Sequence, residues 1–334
     1  MISKAMRPVA FVFEYATAGG VAEAASALVR EGALMADALI EDLLASERYT
    51  VRTVRRDGVV PSPRGAATIV IRTPEDALRV LDAEAGDAAI TWLIAPETGG
   101  VLLRLTQRLE ARCLPFAGAR AAAVATATSK RRTVETLIAA GIRVVPTLAL
   151  SEAEAAAVGD GPYAVKPDDG AGCEATRRVG SLASARAAAQ SLGIREPVVQ
   201  PWVEGDALSL SCVAHRARCE LLCVNRQHIA LERERVEFRG VTVCVGDHGL
   251  SAPEALAAAV ARAIPGLRGY FGIDLVHRGD SVFVLEVNPR LTTSYAGLSR
   301  ALGINVAARI LDDLGPDPGP LAHPGARPLA IRVH

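Results

Sequence analysis

Residues 269–290 read GYFGIDLVHRGDSVFVLEVNPR: two apolar runs of alternating pattern joined at Arg278-Gly279-Asp280. That pattern predicts an antiparallel hairpin. It ends in polar groups that no core would choose. Asp274 lies on the first strand, and Glu286, Asn288 and Arg290 follow at period two on the second, so the last three share a face. Asp274 can sit beside that face. Two carboxylates and an amide oxygen are hard donors that suit Mg²⁺, with a guanidinium next to them. Magnesium usually takes one or two protein carboxylates and fills its octahedron with water and phosphate, so the cluster points to a metal–nucleotide complex rather than a closed cage. A lone E-x-N is more often a solvated strand end. The upstream Asp across a short hairpin, and the run into Pro289 and Arg290, weigh against that reading here.

At 334 residues the chain exceeds the size at which one core stops growing, and two or three packed units are expected. A buried strand at 7–16, a helix at 21–45, strands at 49–55 and 67–72, a helix from Pro74, a strand at 88–95 and a helix from Gly99 alternate as a parallel sheet covered by helices does. Near Phe116-Ala117-Gly118 this series pauses, so an α/β unit is placed at 1–117. Two short helical runs follow, the second from Ser129 to Ala140 and ended by Gly141. Strands at 143–150, 162–167 and 197–205, a helix at 181–192 and strand-rich sequence to 247 then read as α+β, as do a helix at 254–264, the hairpin and a closing helix at 295–313. The divisions are 118–200, 201–313 and an extended Pro/Gly-rich tail at 314–334.

Composition excludes several classes. Lys plus Arg equals Asp plus Glu at 37 each, so no global charge draws the protein to nucleic acid or an anionic membrane. No signal peptide or membrane-spanning segment is visible, which predicts the cytoplasm. The six cysteines lack a C-x-x-C and read as reduced thiols, with Cys219 and Cys223 packing from one face of a strand. Gly19-Gly20 after the first strand lacks the G-x-G-x-x-G of a dinucleotide site.

Three further segments carry chemistry. PYAVKPDDGAGCE, 162–174, ends an apolar strand at Lys166 and follows it with Gly170 and Gly172, where backbone N–H groups can approach a phosphate. The spacing is not that of a P-loop. Lys130 opens the helix SKRRTVETLIAAG with Ser129 as N-cap. The strand 197–205 carries Gln200, Trp202 and Val203 and ends in Glu204-Gly205-Asp206, a backbone edge for a flat base and a carboxylate for ribose. Glu14, before Thr17 and Gly19-Gly20, stands at the carboxyl end of a parallel strand, where open α/β sheets bind ligands. It suits a substrate ammonium, and capping the next helix is an equal alternative.

In this order, these elements resemble the ATP-grasp superfamily over roughly residues 118–313. The resemblance implies an α/β pre-ATP-grasp domain followed by an α+β ATP-grasp fold whose two lobes grip ATP. By position, Lys130, Lys166, Gly170 and Gly172 would meet the phosphates, and Lys166 and Arg290 would be catalytic. Trp202 and Val203 would flank the adenine, with Gln200 on the same strand among the ATP-binding residues. Asp274, Glu286 and Asn288 would hold Mg²⁺, with Mn²⁺ an acceptable substitute. Many relatives place Glu where Ala207 stands, so ribose is shared between Glu204 and Asp206.

The motifs VFEYATAGG, LIAPETGG, TSKRRTVETL, EGDALSLS and CVNRQHI are similar to the branch that includes the tyramine–glutamate ligase of methanofuran biosynthesis. That implies a ligase joining the γ-carboxyl of glutamate to an amine, with Glu14, Thr17, Gly19, Gly20, Asn225 and Arg290 at the substrate. Ser129 replaces the usual acid before Lys130, so the amine is open to change. The implied partners are a small amino acid and an amine, with no nucleic acid or membrane, and a homodimer is compatible with them. A D-alanine-type ligase, a purine-pathway carboxylase or a non-catalytic ATP-binding regulator are the alternatives.

Overall fold

A computed structural model describes residues 7–21, 26–156, 160–170, 172–173, 175–215, 218–313 and 326–333. Five parallel strands form the first sheet, in the order β3 (Ala67–Ile71), β2 (Thr50–Arg56), β1 (Val9–Glu14), β4 (Ile90–Ile94) and β5 (Phe116–Ala117). Alternation along β1 sends its side chains to two layers. Phe11 and Phe13 pack with Leu81, Leu105 and Leu109 of the helices Pro74–Asp87 and Val101–Ala111. Ala10 and Val12 pack with Leu39, Ile40 and Leu43 of the helix Ser26–Ala45.

The second sheet is antiparallel. Its large part runs β14 (Ser281–Asn288), β13 (Gly269–Arg278), β10 (Asp206–His215), β11 (Arg218–Glu232) and β12 (Arg235–Val243). It continues into a small lobe of β8 (Arg177–Val179), β7 (Tyr163–Pro167), β9 (Pro197–Pro201) and β6 (Leu148–Ala149). One residue pair, Arg235 with Arg177, joins β12 to β8. The small lobe has its own core of Tyr163, Val165, Val179 and Val199 under Leu150, Ala153, Ala185 and Ala189. Leu208, Leu210, Phe271 and Ile273 of the large part instead share a core with Phe11 and Phe13 of the parallel sheet. The parallel unit and the large sheet are therefore one packed body, on which the small lobe can tilt without opening a shared core.

Several expectations need correction. The helix Lys130–Ala139 buries Val134 and Leu137 in the cluster that holds Val284 and Val287. It belongs to the body, although the division at 118–200 groups it with the small lobe. Of the strand expected at 143–150 only Leu148–Ala149 pairs in a ladder; Val144 makes a single bridge to Val284 of β14 ahead of Pro146, and Leu150–Ala155 is helical. Gly303, at φ 69°, breaks the closing helix into Tyr295–Leu302 and Val306–Asp313. Cys219 and Cys223 do not share a face. A bulge in the β10–β11 ladder shifts the register between them, and Cys219 packs on one core layer and Cys223 on the other. Residues 22–25 of the first expected helix lie outside the described residues, as do 314–325 and 334 of the tail. Farther along that tail, β15 (Leu329–Arg332) pairs with β12. Among the described residues no helix is long and apolar enough to cross a membrane.

One buried carboxylate fastens the parallel unit to the C-terminal helices. Asp42 Oδ2 accepts from Tyr295 Oη at 2.8 Å and Ser299 Oγ at 2.6 Å. Asp42→Ala leaves both hydroxyls without that acceptor, and a buried polar group left unsatisfied costs about 1–3 kcal/mol. Urea unfolding of the variant should show a loss of that size, and an unchanged midpoint would mean that water replaces the carboxylate.

Candidate active site

The hairpin β13–β14 sets Asp274 directly opposite Glu286 and Gly272 opposite Asn288. Asn288 Nδ2 donates to Asp274 Oδ2 at 3.1 Å, and Gln227 Nε2 donates to Asp274 Oδ1 at 3.0 Å. Gly272 is required by space: a Cβ there would lie 2.7 Å from Thr292 Cγ2. Facing each other across the ladder, the two carboxyl groups affect each other's ionisation. Burial and the neighbouring Glu286 push Asp274 up to about 7. Burial would raise Glu286 as well, but Lys130 and Lys166 hold it below the ordinary carboxylate range.

Those lysines arrive from different parts. Lys166, at the end of β7 in the small lobe, has Nζ 3.6 Å from Glu286 Oε2. Lys130, on the body helix, has Nζ 3.7 Å from the same oxygen. Its N-cap is Ser129, whose Oγ accepts from the Arg132 N–H. Lys130 Nζ also donates to the carbonyls of Gly170 at 2.7 Å and Asp168 at 3.3 Å, holding the loop after β7. Burial lowers the Lys166 pKa against the pull of Glu286. Cys173 in the same loop is pushed up to about 12 by burial, which keeps it a thiol.

Between the lobes lies a cavity of about 520 Å³. Lys130, Lys166, Gly170, Gly172, Gln200, Trp202, Val203, Glu204, Asp206, Asp274, Glu286, Asn288 and Arg290 all line it. Ala164, Val276 and Leu285 add apolar wall. Gln200 donates to Thr147 Oγ1 at 2.7 Å. Trp202 Nε1 donates to Glu204 Oε1 at 2.8 Å, and the Arg178 guanidinium lies 5.5 Å over the indole ring. Asp206 stands 3.4 Å from Arg226 Nη2 and 3.5 Å from His248 Nε2. Both candidate ribose carboxylates are thus at the mouth, and both have partners.

At the other end Arg290 makes a bidentate pair with Glu97, with N···O distances of 2.8–2.9 Å and both side chains largely buried. Glu97 keeps the guanidinium charged and above its ordinary pKa against the effect of burial. Glu31 lines the same end and accepts from Thr293 Oγ1 at 2.9 Å. Sequence reasoning gave no role to Glu97, Glu31 or Gln227. Glu97 and Gln227 fall inside the quoted motifs LIAPETGG and CVNRQHI, whereas Glu31 sits in a helix with nothing to mark it.

The expected substrate residues of the first loop stand elsewhere. Glu14 is 2% exposed, and its carboxylate accepts the N–H groups of Ala16 at 3.0 Å and Thr17 at 2.6 Å. It caps the turn Ala16–Gly20, under Gly32 of the next helix, where a Cβ would lie 2.5 Å from it. Thr17 and Gly19 are buried in that turn, Gly20 lies against the Tyr15 ring, and none of the four lines the cavity. Asn225 is also fully buried. Its amide bonds Ser211 Oγ at 3.0 Å and Ser209 Oγ at 3.3 Å, tying β11 to β10. Glu14→Gln replaces one acceptor oxygen by a donor facing backbone N–H groups, which should cost about 1–3 kcal/mol of stability. Michaelis constants should not move. A several-fold rise in KM for an amino acid alone would return Glu14 to the substrate.

The donor set fits a magnesium ion. Asp274 and Glu286, opposite each other, and Asn288 beside Asp274 offer two carboxylates and one amide. Two adjacent buried carboxyl groups, one of them pushed up to about 7, are an arrangement that a divalent cation would relieve. The ligand count is also the low one that magnesium takes beside phosphates.

Residues 127–294 match the family model of the ATP-grasp domain, and residues 50–124 match that of the pre ATP-grasp 3 domain. The chain belongs to the ATP-grasp family. It is 26% identical over 295 residues to the tyramine–L-glutamate ligase of Methanocaldococcus fervens, covering 86% of this chain and 88% of that one. With the ligase of the same name from Methanocaldococcus jannaschii it shares 33% identity over 104 residues, which span 30% of this chain and 31% of that protein. A solved ATP-grasp superfamily protein from Archaeoglobus fulgidus superposes with a TM-score of 0.73 at 22% identity, over 97% of this chain and 92% of that one. The α/β pre-ATP-grasp unit followed by the ATP-grasp fold is thereby established. By family this ATP-grasp protein is an enzyme, a ligase of the C–N bond-forming kind.

Proposed function

We propose that this protein is an ATP-dependent carboxylate–amine ligase, joining the γ-carboxyl of glutamate to tyramine or a similar amine in the synthesis of a methanofuran-like one-carbon cofactor. One observation carries the ligase reading: Glu286, with Asp274 and Asn288 beside it, is met by Lys130 and Lys166 in a cleft that also holds Arg290. The named relatives support the choice of glutamate and tyramine. The domain division read here is 1–117, 118–200, 201–313 and 314–334, with the helix of Lys130 reassigned to the body.

Lys166 and Lys130 bind the phosphates as point charges, with the loop of Gly170 and Gly172 over them. Trp202 and Val203 offer backbone to the adenine, Gln200 lies behind them, and Glu204 or Asp206 takes the ribose. Asp274, Glu286 and Asn288 would hold magnesium, which when bound neutralises charge on the phosphoryl oxygens. A carboxylate oxygen of the amino acid attacks the γ-phosphorus and ADP leaves. The amine nitrogen then attacks the acyl carbon, loses a proton, and phosphate departs with that carboxylate oxygen. Arg290, fixed by Glu97, faces the developing oxyanion, a donor of the kind whose loss costs about 10²–10³ in rate. Acyl phosphates hydrolyse, and the loop after β7 is the cover that excludes water.

Phosphate release from ATP with L-glutamate and tyramine, followed by mass spectrometry of the amide, tests this reading. Release with a different amino acid and amine would keep the ligase and move the substrate; no release across a panel of such pairs would overturn it. Glu286→Gln should cut turnover by more than about 10²-fold at saturating ATP, and should also lower the melting temperature, since Lys130 and Lys166 lose the charge that compensates them. Normal turnover at ordinary Mg²⁺ would remove Glu286 from the site. Lys166→Ala should raise KM for ATP at least tenfold, and Lys130→Ala should act in the same direction. Unchanged ATP kinetics in both would leave the lysines without a role.

A further inference from the structure

The cavity end beyond Asn288 differs from the phosphate end. Ser209, Thr292, Thr293 and Ser294 line it together with Arg290 and Glu31, and the Glu31 carboxylate is close enough to act electrostatically on the Arg290 guanidinium. Both charged groups are held in place beforehand. Glu97 grips Arg290 from behind with two oxygens, and Thr293 Oγ1 donates to Glu31 Oε2 at 2.9 Å. Glu31 also reaches the loop after β7, since a Cβ on Gly172 would lie 4.0 Å from its Oε1. Such fixed groups bind without first losing rotamer freedom. A cation and an anion side by side, ringed by hydroxyl groups, do not complement a plain dicarboxylate or an aromatic ring. They complement a molecule that carries both a carboxylate and an ammonium group.

We propose that Glu31, with Thr293, is the ammonium-binding residue of an amino-acid subsite, and that the carboxylate substrate is an amino acid whose free ammonium is read there while Arg290 faces its reacting carboxylate. This rests on the ligase reading above and adds to it the residue that separates amino acids from their deaminated counterparts. Glu31 comes from the parallel unit, whereas the phosphate-binding residues do not. Specificity for the acid would thus reside in a part of the chain that ATP never touches.

The test uses the full chain loaded with a non-hydrolysable ATP analogue and Mg²⁺. Calorimetry compares two pairs of probes, L-glutamate with glutarate and L-alanine with propionate. In the wild type the amino member of at least one pair should bind at least tenfold more tightly than its deaminated member. Glu31→Gln keeps an acceptor for Thr293 and should reduce that preference to below about threefold, with affinity for the analogue unchanged within twofold. Thr293→Val, which removes the anchor and leaves the carboxylate, should reduce the preference at least threefold and serves if the first variant does not fold. A preference that survives in both variants overturns the proposal. So does a wild type that binds the analogue but no amino acid better than its deaminated form. Failure of the wild type to bind the analogue at all would instead strike the nucleotide reading on which the proposal rests.

Discussion

Two lysine ammonium groups converge on one carboxylate, Glu286, and the rest of the site is arranged around that meeting. Lys166 comes from the small lobe and Lys130 from the body, so Glu286 is also a tie between the parts that enclose the cavity. Buried charges of this kind are costly unless each is compensated. Here the compensation is incomplete: two ammonium groups meet one carboxylate held ionised, and the second carboxyl, Asp274, is pushed toward its neutral form. In the proposed ligase a magnesium–triphosphate complex would bring both the cation that the carboxyl pair lacks and the anionic oxygens that the lysines lack. Electrostatics would then favour the metal and the nucleotide together over either alone.

The architecture serves that pairing. A parallel unit fused by a shared core to a large antiparallel sheet gives a rigid floor carrying Asp274, Glu286, Asn288 and Arg290. The small lobe, with a separate core and one ladder pair at its joint, carries Lys166 and the loop of Gly170 and Gly172. On the proposed function, rigid placement suits the groups that would hold a metal and an oxyanion. A tilting lobe suits the groups that would admit ATP and then exclude water.

The most local features were the most legible in sequence. Asp274, Glu286 and Asn288 lie on one hairpin, where period two and a short turn fix who faces whom, and the structure pairs Asp274 with Glu286. Lys130 and Lys166 carry a helix cap and a strand end as their own markers, and both line the cavity. What depended on distant packing was not legible. Glu97 meets Arg290 across 193 residues, and Glu31 meets Thr293 across 262. Glu14 illustrates the opposite hazard: a carboxylate at a strand end looks like a ligand group until the chain turns back and offers it two N–H groups. The Cys219–Cys223 pair was misplaced for a related reason, since a single bulge in β10–β11 lies between the two.

Calorimetric binding of a non-hydrolysable ATP analogue, with Mg²⁺ and with excess chelator, tests the central claim most directly, because it reads the coupling of metal and nucleotide at Glu286 without any assumption about the substrates. The account predicts binding at least tenfold tighter with Mg²⁺, and loss of most of that difference in Asp274→Asn. Equal affinity with and without the metal, or no binding of the analogue in either condition, would contradict it.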